Sequence, residues 1–415
     1  MNNVTGTPVG GSDFFGRDAE LYNCMELMKH NDILLLGARR IGKTSFAREI
    51  MRRLNEEGWR VIEINVASCE DEQQFAKRVL EAIRDSARSW PQKKWDSLCE
   101  SIGGILRRIE HIEVPIPNYG NAGVKLNHSK PVKDLLDSLT EALCALNTTD
   151  EPCLLYIDEL PIFLYNLMPS TDTKEKDYED KRKRVALFLN WLRNDVRGDA
   201  RCTALRWLFT GSVGLDTLVH NHKLADTINT LTPFKLDAFS SREAVIMLQT
   251  LAISYGWSLD EGDANKVVDV IQWPQPYYLQ IAFRFLREWH TEERSFDQCI
   301  KHLIEKMTEP GVDNDYNHWF DRLKTQLGNV QAGHAKALLG MVCATPEGMS
   351  KHDVFIALQG RMLNATEDEQ LEMWSDLRDI LERDAYWWSV EVDGVKYYRF
   401  CLEPLRCWWK RKYDV

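Results

Sequence analysis

Ile33-Leu34-Leu35-Leu36-Gly37-Ala38-Arg39-Arg40-Ile41-Gly42-Lys43-Thr44-Ser45 decides how the rest of the chain is read. Four apolar residues stop at a glycine, as a buried strand does when it runs into a turn. Lys43 to Asn55 then shows helical character without Gly or Pro. Between strand and helix, Gly37 to Ser45 satisfies G-x-x-x-x-G-K-[ST] in full. Such a loop aims backbone N–H groups into a nest at a helix N-terminus, where anions are favoured. The spacing predicts a cradle for the phosphates of ATP or ADP, with Lys43 on the β- and γ-phosphates and the Thr44 hydroxyl on Mg²⁺. Arg39 and Arg40 either touch phosphate or a neighbour or stand as solvated charge, the latter being the expected role.

A second element matches the first. Cys153-Leu154-Leu155-Tyr156-Ile157-Asp158-Glu159 is an apolar strand ending in two carboxylates, the form of a Walker B segment. Asp158 is expected to hold Mg²⁺, and Glu159 to orient and deprotonate the attacking water. Taken alone, Asp-Glu at a strand end also suits a helix N-cap. Further on, Thr210-Gly211-Ser212 either places the Ser212 hydroxyl near the γ-phosphate or is a simple turn. Arg193, Arg197 and Arg201 lie where an arginine finger would sit, with Arg197 the candidate and surface ion pairing the expected role of any one of them.

Outward from these motifs the chain alternates strands and helices. Strands are expected at Val61–Val66, Cys153–Ile157 and Leu205–Phe209, and helices near 72–85, 95–110, 132–146 and 183–197. The segment from Ile112 to Leu126 has the punctuation of a hairpin, and Pro169 to Asp180 that of a mobile loop. Repeated βα units imply an α/β fold, a P-loop NTPase parallel sheet with helices on both faces. Beyond Leu236 strand signals nearly vanish, which predicts an all-α lid to about Gly328. From Gln331, three helices and the paired segments Trp387–Val392 and Lys396–Cys401, joined at Asp393-Gly394, predict a C-terminal winged helix. The expected domains are 1–236, 237–328 and 329–415.

Composition narrows the partners. The 415 residues carry net charge −11, which argues against a surface built to coat nucleic acid. Gln331 to Val415 holds 11 Lys/Arg against 14 Asp/Glu, the wrong sign for a DNA-reading wing. Lys181-Arg182-Lys183-Arg184 is the densest basic run, but Glu175, Asp177, Glu179 and Asp180 precede it and offset its field. Trp387, Trp388, Trp408 and Trp409 read as core before base-stacking platform. Ten scattered cysteines without a CxxC pair disfavour structural zinc and suit a reducing, cytoplasmic setting. Apolar runs of about five residues fall far short of the roughly 20 that span a bilayer.

On these residues the chain resembles the AAA+-related archaeal-type ATPases, close to the STAND class of nucleotide switches. Phe14-Phe15-Gly16-Arg17 is similar to the family's F-x-G-R-E segment, with Asp18 in place of Glu. That resemblance places Phe15, Gly16 and Arg17 on the adenine side. Trp273-Pro274-Gln275-Pro276-Tyr277-Tyr278-Leu279-Gln280 is similar to the lid element G-x-P-Y-Y-L-Q, which implies that Pro276 touches the base; Pro274 replaces the family's Gly. The resemblance also implies a five-stranded sheet, a lid, a winged helix, and exchange of ADP for ATP that opens or oligomerises the molecule. The leading expectation is a Mg-dependent ATPase switch that acts through partner proteins in a defence or signalling module, compatible with a nucleotide-dependent homo-oligomer. The alternative is a DNA-associated AAA+ ATPase of the origin-recognition or transposition-regulator kind, which the acidic wing disfavours.

Overall fold

A computed structural model describes residues 1–87, 100, 102–105, 129–146, 151–168, 177–211, 215, 218, 219, 222–290, 294–312 and 314–413. The chain divides into two compact units. One comprises Asp18–Leu36 and Phe46–Lys235; the other comprises Met1–Arg17, Gly37–Ser45 and Leu236–Val415.

The first unit is built on five parallel strands, β1 (Ile33–Leu36), β2 (Arg60–Asn65), β3 (Cys153–Asp158), β4 (Leu205–Phe209) and β5 (Thr232–Lys235), in the order β2-β3-β4-β1-β5. β3 lies inside the sheet and is buried along its whole length, which explains its unbroken apolar run. β2 is an edge strand, and its burial alternates. β5 is the other edge and pairs Ile33 with Thr232 and Leu36 with Lys235. It was not marked in the sequence because it is four residues long and contains Pro233, which the ladder tolerates on an edge strand.

Helices α1 (Asp18–Met28), α2 (Lys43–Glu56), α3 (Glu72–Ala87), α4 (Ser129–Leu146), α5 (Leu160–Leu167) and α6 (Tyr178–Asn190) supply the covering layers. Phe75, Phe163 and Phe188, one from each of α3, α5 and α6, meet with ring centroids 4.9 to 5.1 Å apart. Helix α6 begins at Tyr178, five residues before its expected start, because Asp177 holds Lys181 at 2.8 Å and Tyr178 is buried against His222. The expected hairpin at 112–126, most of the 95–110 helix and residues 169–176 lie outside the described residues.

The second unit is largely helical: α7 (Ser241–Ser254), α8 (Glu261–Ile271), α9 (Pro276–Trp289), α10 (Phe296–Thr308), α11 (Tyr316–Val342), α12 (Lys351–Arg361), α13 (Glu367–Arg383) and α14 (Glu403–Tyr413). Capping boxes Ser240/Glu243 and Thr366/Glu369 fix the starts of α7 and α13. Helix α11 is broken at Gly328, whose φ of 69° and ψ of −178° are not helical. Strands β6 (Met349–Ser350), β7 (Trp387–Val392) and β8 (Val395–Phe400) form a small antiparallel sheet in the order β6-β8-β7. The β7–β8 turn has positive φ at Asp393 and Gly394, as a tight two-residue hairpin needs. Trp387, Trp408 and Trp409 are fully buried and build core, whereas Trp388 is half-buried. The sequence reading missed α14, which carries two of them.

Candidate functional site

The phosphate loop is shaped by backbone constraints that its sequence meets. Gly37 has a φ of 146°, and a Cβ there would lie 2.7 Å from the Leu236 carbonyl oxygen, so only glycine fits. Gly42, at φ 97°, turns the chain into α2. The first turn of α2 holds no acidic side chain, which leaves its N-terminal field unopposed for an anion. Lys43 is 9% exposed and donates from Nζ to the carbonyl oxygens of Gly37 at 2.7 Å and Ala38 at 3.1 Å. Its ammonium therefore already sits over the loop.

Three further contacts hold this loop. Arg17 is buried and donates from one Nη to the carbonyls of Ile41 at 3.2 Å and Asp237 at 2.8 Å, with its guanidinium 4.8 Å from the Phe239 ring centroid. Phe15 meets Phe239 edge to face at 5.9 Å. The segment similar to F-x-G-R thus braces the loop through Arg17. Arg40, at φ 66°, donates from Nε and Nη to the two carboxylate oxygens of Asp315 at 2.8 and 3.0 Å. Its guanidinium also lies 4.3 Å from the ring centroid of Tyr277. Arg40 is therefore not solvated charge. The Ser45 hydroxyl accepts from the Val9 amide at 3.0 Å, and Val4 and Asn3 bond to Gln280.

Pro276 opens α9 at its first turn, where a missing N–H costs nothing. Trp273 packs against the small apolar cluster of Ala38, Ala385 and Cys401, and the Phe239 amide donates to the Pro274 carbonyl at 3.1 Å. Gln275 between them is fully buried, and neither its amide nitrogen nor its amide oxygen has a hydrogen-bond partner. Nothing in the sequence marks that.

The carboxylates stand at the end of β3. Asp158 is 7% exposed, and its Oδ1 accepts from the Thr210 hydroxyl at 2.5 Å; Thr210 in turn lies 3.0 Å from the Tyr156 hydroxyl. Asn65 reaches Asp158 Oδ2 only at 3.5 Å. Thr210, next to the Ser212 singled out in sequence, is thus the residue that fixes Asp158. Ser212 lies outside the described residues. Glu159 occupies the N-cap of α5 at φ 63° but makes no side-chain cap bond. A carboxylate held in the left-handed region without capping its helix carries a cost of roughly 1–3 kcal/mol, the kind that accumulates at functional positions.

Asp158 offers a carboxylate of the kind that binds Mg²⁺, a cation held by few protein oxygens with phosphate and water completing its shell. Among the described residues no group of three or more His, Cys, Asp or Glu could hold a metal.

The three candidate arginines are all engaged within their own chain. Arg197 is engaged within its own chain, donating from Nε to Asp32 at 2.5 Å and from its two Nη atoms to Thr230 at 3.0 and 3.1 Å, with its side chain 7% exposed. Arg193 bonds the Asp226 carbonyl, and Arg201 bonds Asp199. The basic run is likewise occupied: Arg184 pairs with the fully buried Glu72, and Arg182 donates to the His222 carbonyl at 2.8 Å.

A family profile described as "AAA ATPase domain" matches residues 13–162. No curated protein matches the chain. A Walker-type ATPase of Pyrococcus abyssi is similar over 99% of this chain and 100% of its own, at 17% identity and a TM-score of 0.58. The ORC2 protein of Aeropyrum pernix, solved in ADPNP–ADP complexes, is similar over 98% of each chain, at 12% identity and a TM-score of 0.50. These likenesses establish the fold, including the C-terminal helices and small sheet. Among the described residues no helix is long and apolar enough to cross a membrane.

Proposed function

Starting from an AAA-type P-loop ATPase domain over residues 13–162, we propose that this protein is a magnesium-dependent, ATP-binding and ATP-hydrolysing switch that acts through partner proteins. The observation that carries the proposal is the phosphate loop, held in shape by Arg17 and Arg40 with Lys43 over it. Lys43 would exchange its two carbonyl partners for β- and γ-phosphate oxygens. Thr44 and Asp158 would hold Mg²⁺, which when bound neutralises charge on the phosphates. Glu159 would take the proton of the attacking water, and Phe15, Gly16, Arg17 and Pro276 would lie on the base side. The setting would be cytoplasmic, in a defence or signalling module, with assembly of copies dependent on the nucleotide.

The DNA-associated alternative is weaker. It needs free basic surface, and the densest basic run has Arg184 committed to Glu72 and Lys181 to Asp177.

Two substitutions test the proposal. Lys43→Ala is expected to weaken ATP binding at least about 100-fold, the scale of losing a charged phosphate contact. Glu159→Gln is expected to keep ATP bound and slow hydrolysis at least about 100-fold, at the low end of a general base's contribution. Unchanged binding in the first would remove the phosphate-loop assignment, and unchanged turnover in the second would remove Glu159 as base.

A further inference from the structure

An open groove of about 630 Å³ lies in the C-terminal part of the second unit, between α11, the end of α12 with the turn after it, and α13. Its apolar lining is Met362, Leu363, Ala365 and Met373. Leu363 is 83% exposed, more than any other large apolar side chain among the described residues, and Val330, beside the lining residue Gln331, is 71% exposed. Solvated leucines are common singly, but this one belongs to a concave site with two methionines, adaptable side chains that suit a binding surface.

The turn that presents Leu363 is fixed. Gln370 donates from Nε2 to the Met362 carbonyl at 3.0 Å and accepts from Gln359 at 3.0 Å. The Thr366/Glu369 capping box sets the start of α13. The exposed leucine is therefore displayed in a preorganised position, which lowers the ordering cost of binding something there.

The α13 wall carries charge of one sign. Glu369, Glu372 and Asp376 line the groove at i, i+3 and i+7 of α13, so they form one stripe about 10 Å long. Arg361 is the cation that faces them. Burial, with Arg361 adding to it, holds His334 below the usual histidine range, so it is neutral near pH 7 and does not offset the stripe. Over its full length α13 carries seven carboxylates and two arginines.

We propose that this groove docks a helical segment of a partner protein, with Lys or Arg at i, i+3 or i+4, and i+7 facing the carboxylate stripe and an adjoining apolar residue seated among Met362, Leu363 and Met373. Charge complementarity selects this occupant: phosphate backbones and anionic lipid headgroups are repelled by the same stripe. The proposal rests on the partner-acting reading above and gives the partner a chemistry.

The test uses the full chain and a fluorescent peptide of about 15 residues, long enough to be helical, with leucines on one face and lysines at the stated spacing. A matched peptide carries glutamate in place of lysine. Anisotropy is read at about 0.15 M salt, where long-range attraction is screened. The lysine peptide is expected to bind at least about tenfold more tightly than the glutamate peptide, and both Leu363→Asp and the double change Glu372→Lys/Asp376→Lys are expected to weaken it at least about tenfold. Asp297→Lys, on α10 and outside the groove, should leave binding unchanged. Equal binding of the two peptides, or indifference to both groove variants, would overturn the proposal. So would groove-dependent binding of duplex DNA, or self-association abolished by Leu363→Asp. ATP binding is measured on the same samples; its absence in the unsubstituted protein would sink the nucleotide-switch reading and leave the groove result standing on its own.

Discussion

Removing Asp315 separates the grip on Arg40 from the chemistry of the phosphate loop. The two side chains form a two-pronged ion pair at 2.8 and 3.0 Å, with 26% of Arg40 and 13% of Asp315 exposed. Both residues also sit at positive φ, 66° and 67°, where a non-glycine backbone costs roughly 1 kcal/mol or more. A charge-assisted hydrogen bond contributes about 1.5–3 kcal/mol, and breaking a fully buried pair costs about 3–5. Because this pair keeps some contact with solvent, about 2–3 kcal/mol is the expected cost of Asp315→Ala. Arg40→Ala should cost a similar amount, slightly more for the lost contact with Tyr277.

The double variant should cost little more than either single change, a coupling of about 2 kcal/mol. Arg40→Gly should be milder than Arg40→Ala, since glycine adopts that φ without penalty. Hydrogen exchange in the first turns of α11 and in the loop reads the effect locally. Opening there should rise about 30-fold in each single variant, at tenfold per 1.4 kcal/mol. A coupling below about 0.5 kcal/mol, the level of an exposed surface pair, would refute the reasoning.

Gln275 holds a buried amide without partners, so Gln275→Leu should raise the midpoint of urea unfolding by the equivalent of about 1–2 kcal/mol, and a lowered midpoint would show that an unseen group satisfies it. Thr210→Val removes the donor to Asp158 while keeping the side chain's shape. It should slow ATP turnover about tenfold and leave ATP affinity within about threefold, as measured by steady-state phosphate release and nucleotide titration. Burial, and to a lesser degree Arg182, pushes the His222 imidazole down from 6.5 to about 4. The unfolded chain therefore binds the extra proton first, so stability present above pH 6.5 is lost as the pH falls toward 4. The drop in urea midpoint between pH 7 and pH 4.5 should be smaller in His222→Gln than in the unsubstituted chain, and an equal drop would exclude His222.

The parts of the molecule that obey short local rules were legible. The strand-loop-helix from Ile33 to Asn55 announced itself because phosphate loops need glycine at fixed positions, and Gly37 proves irreplaceable for a steric reason. Strand β3 and the Asp393-Gly394 turn followed from apolar length and turn chemistry. What was not legible depends on distance along the chain. Arg40 looked like solvated charge because its partner lies 275 residues away, and Arg197 looked available because Asp32 lies 165 residues away. The first residues carry no motif that marks a role, yet Val4 and Val9 bond to Gln280 and Ser45. Thr210 was passed over for Ser212 because only the pairing of β3 with β4 reveals which hydroxyl meets Asp158.

Gly328 gives α11 a mechanical meaning. An unbroken helix of 27 residues would be a strut about 40 Å long, carrying any push at one end to the other. The break makes it two shorter rods in series that meet at Gly328. Asp315 sits at the head of the first rod, with the phosphate loop's Arg40 in its grip, while Gln331 and His334 of the groove ride on the second. A displacement of the loop therefore meets a bend, not a continuous strut, on its way to the groove.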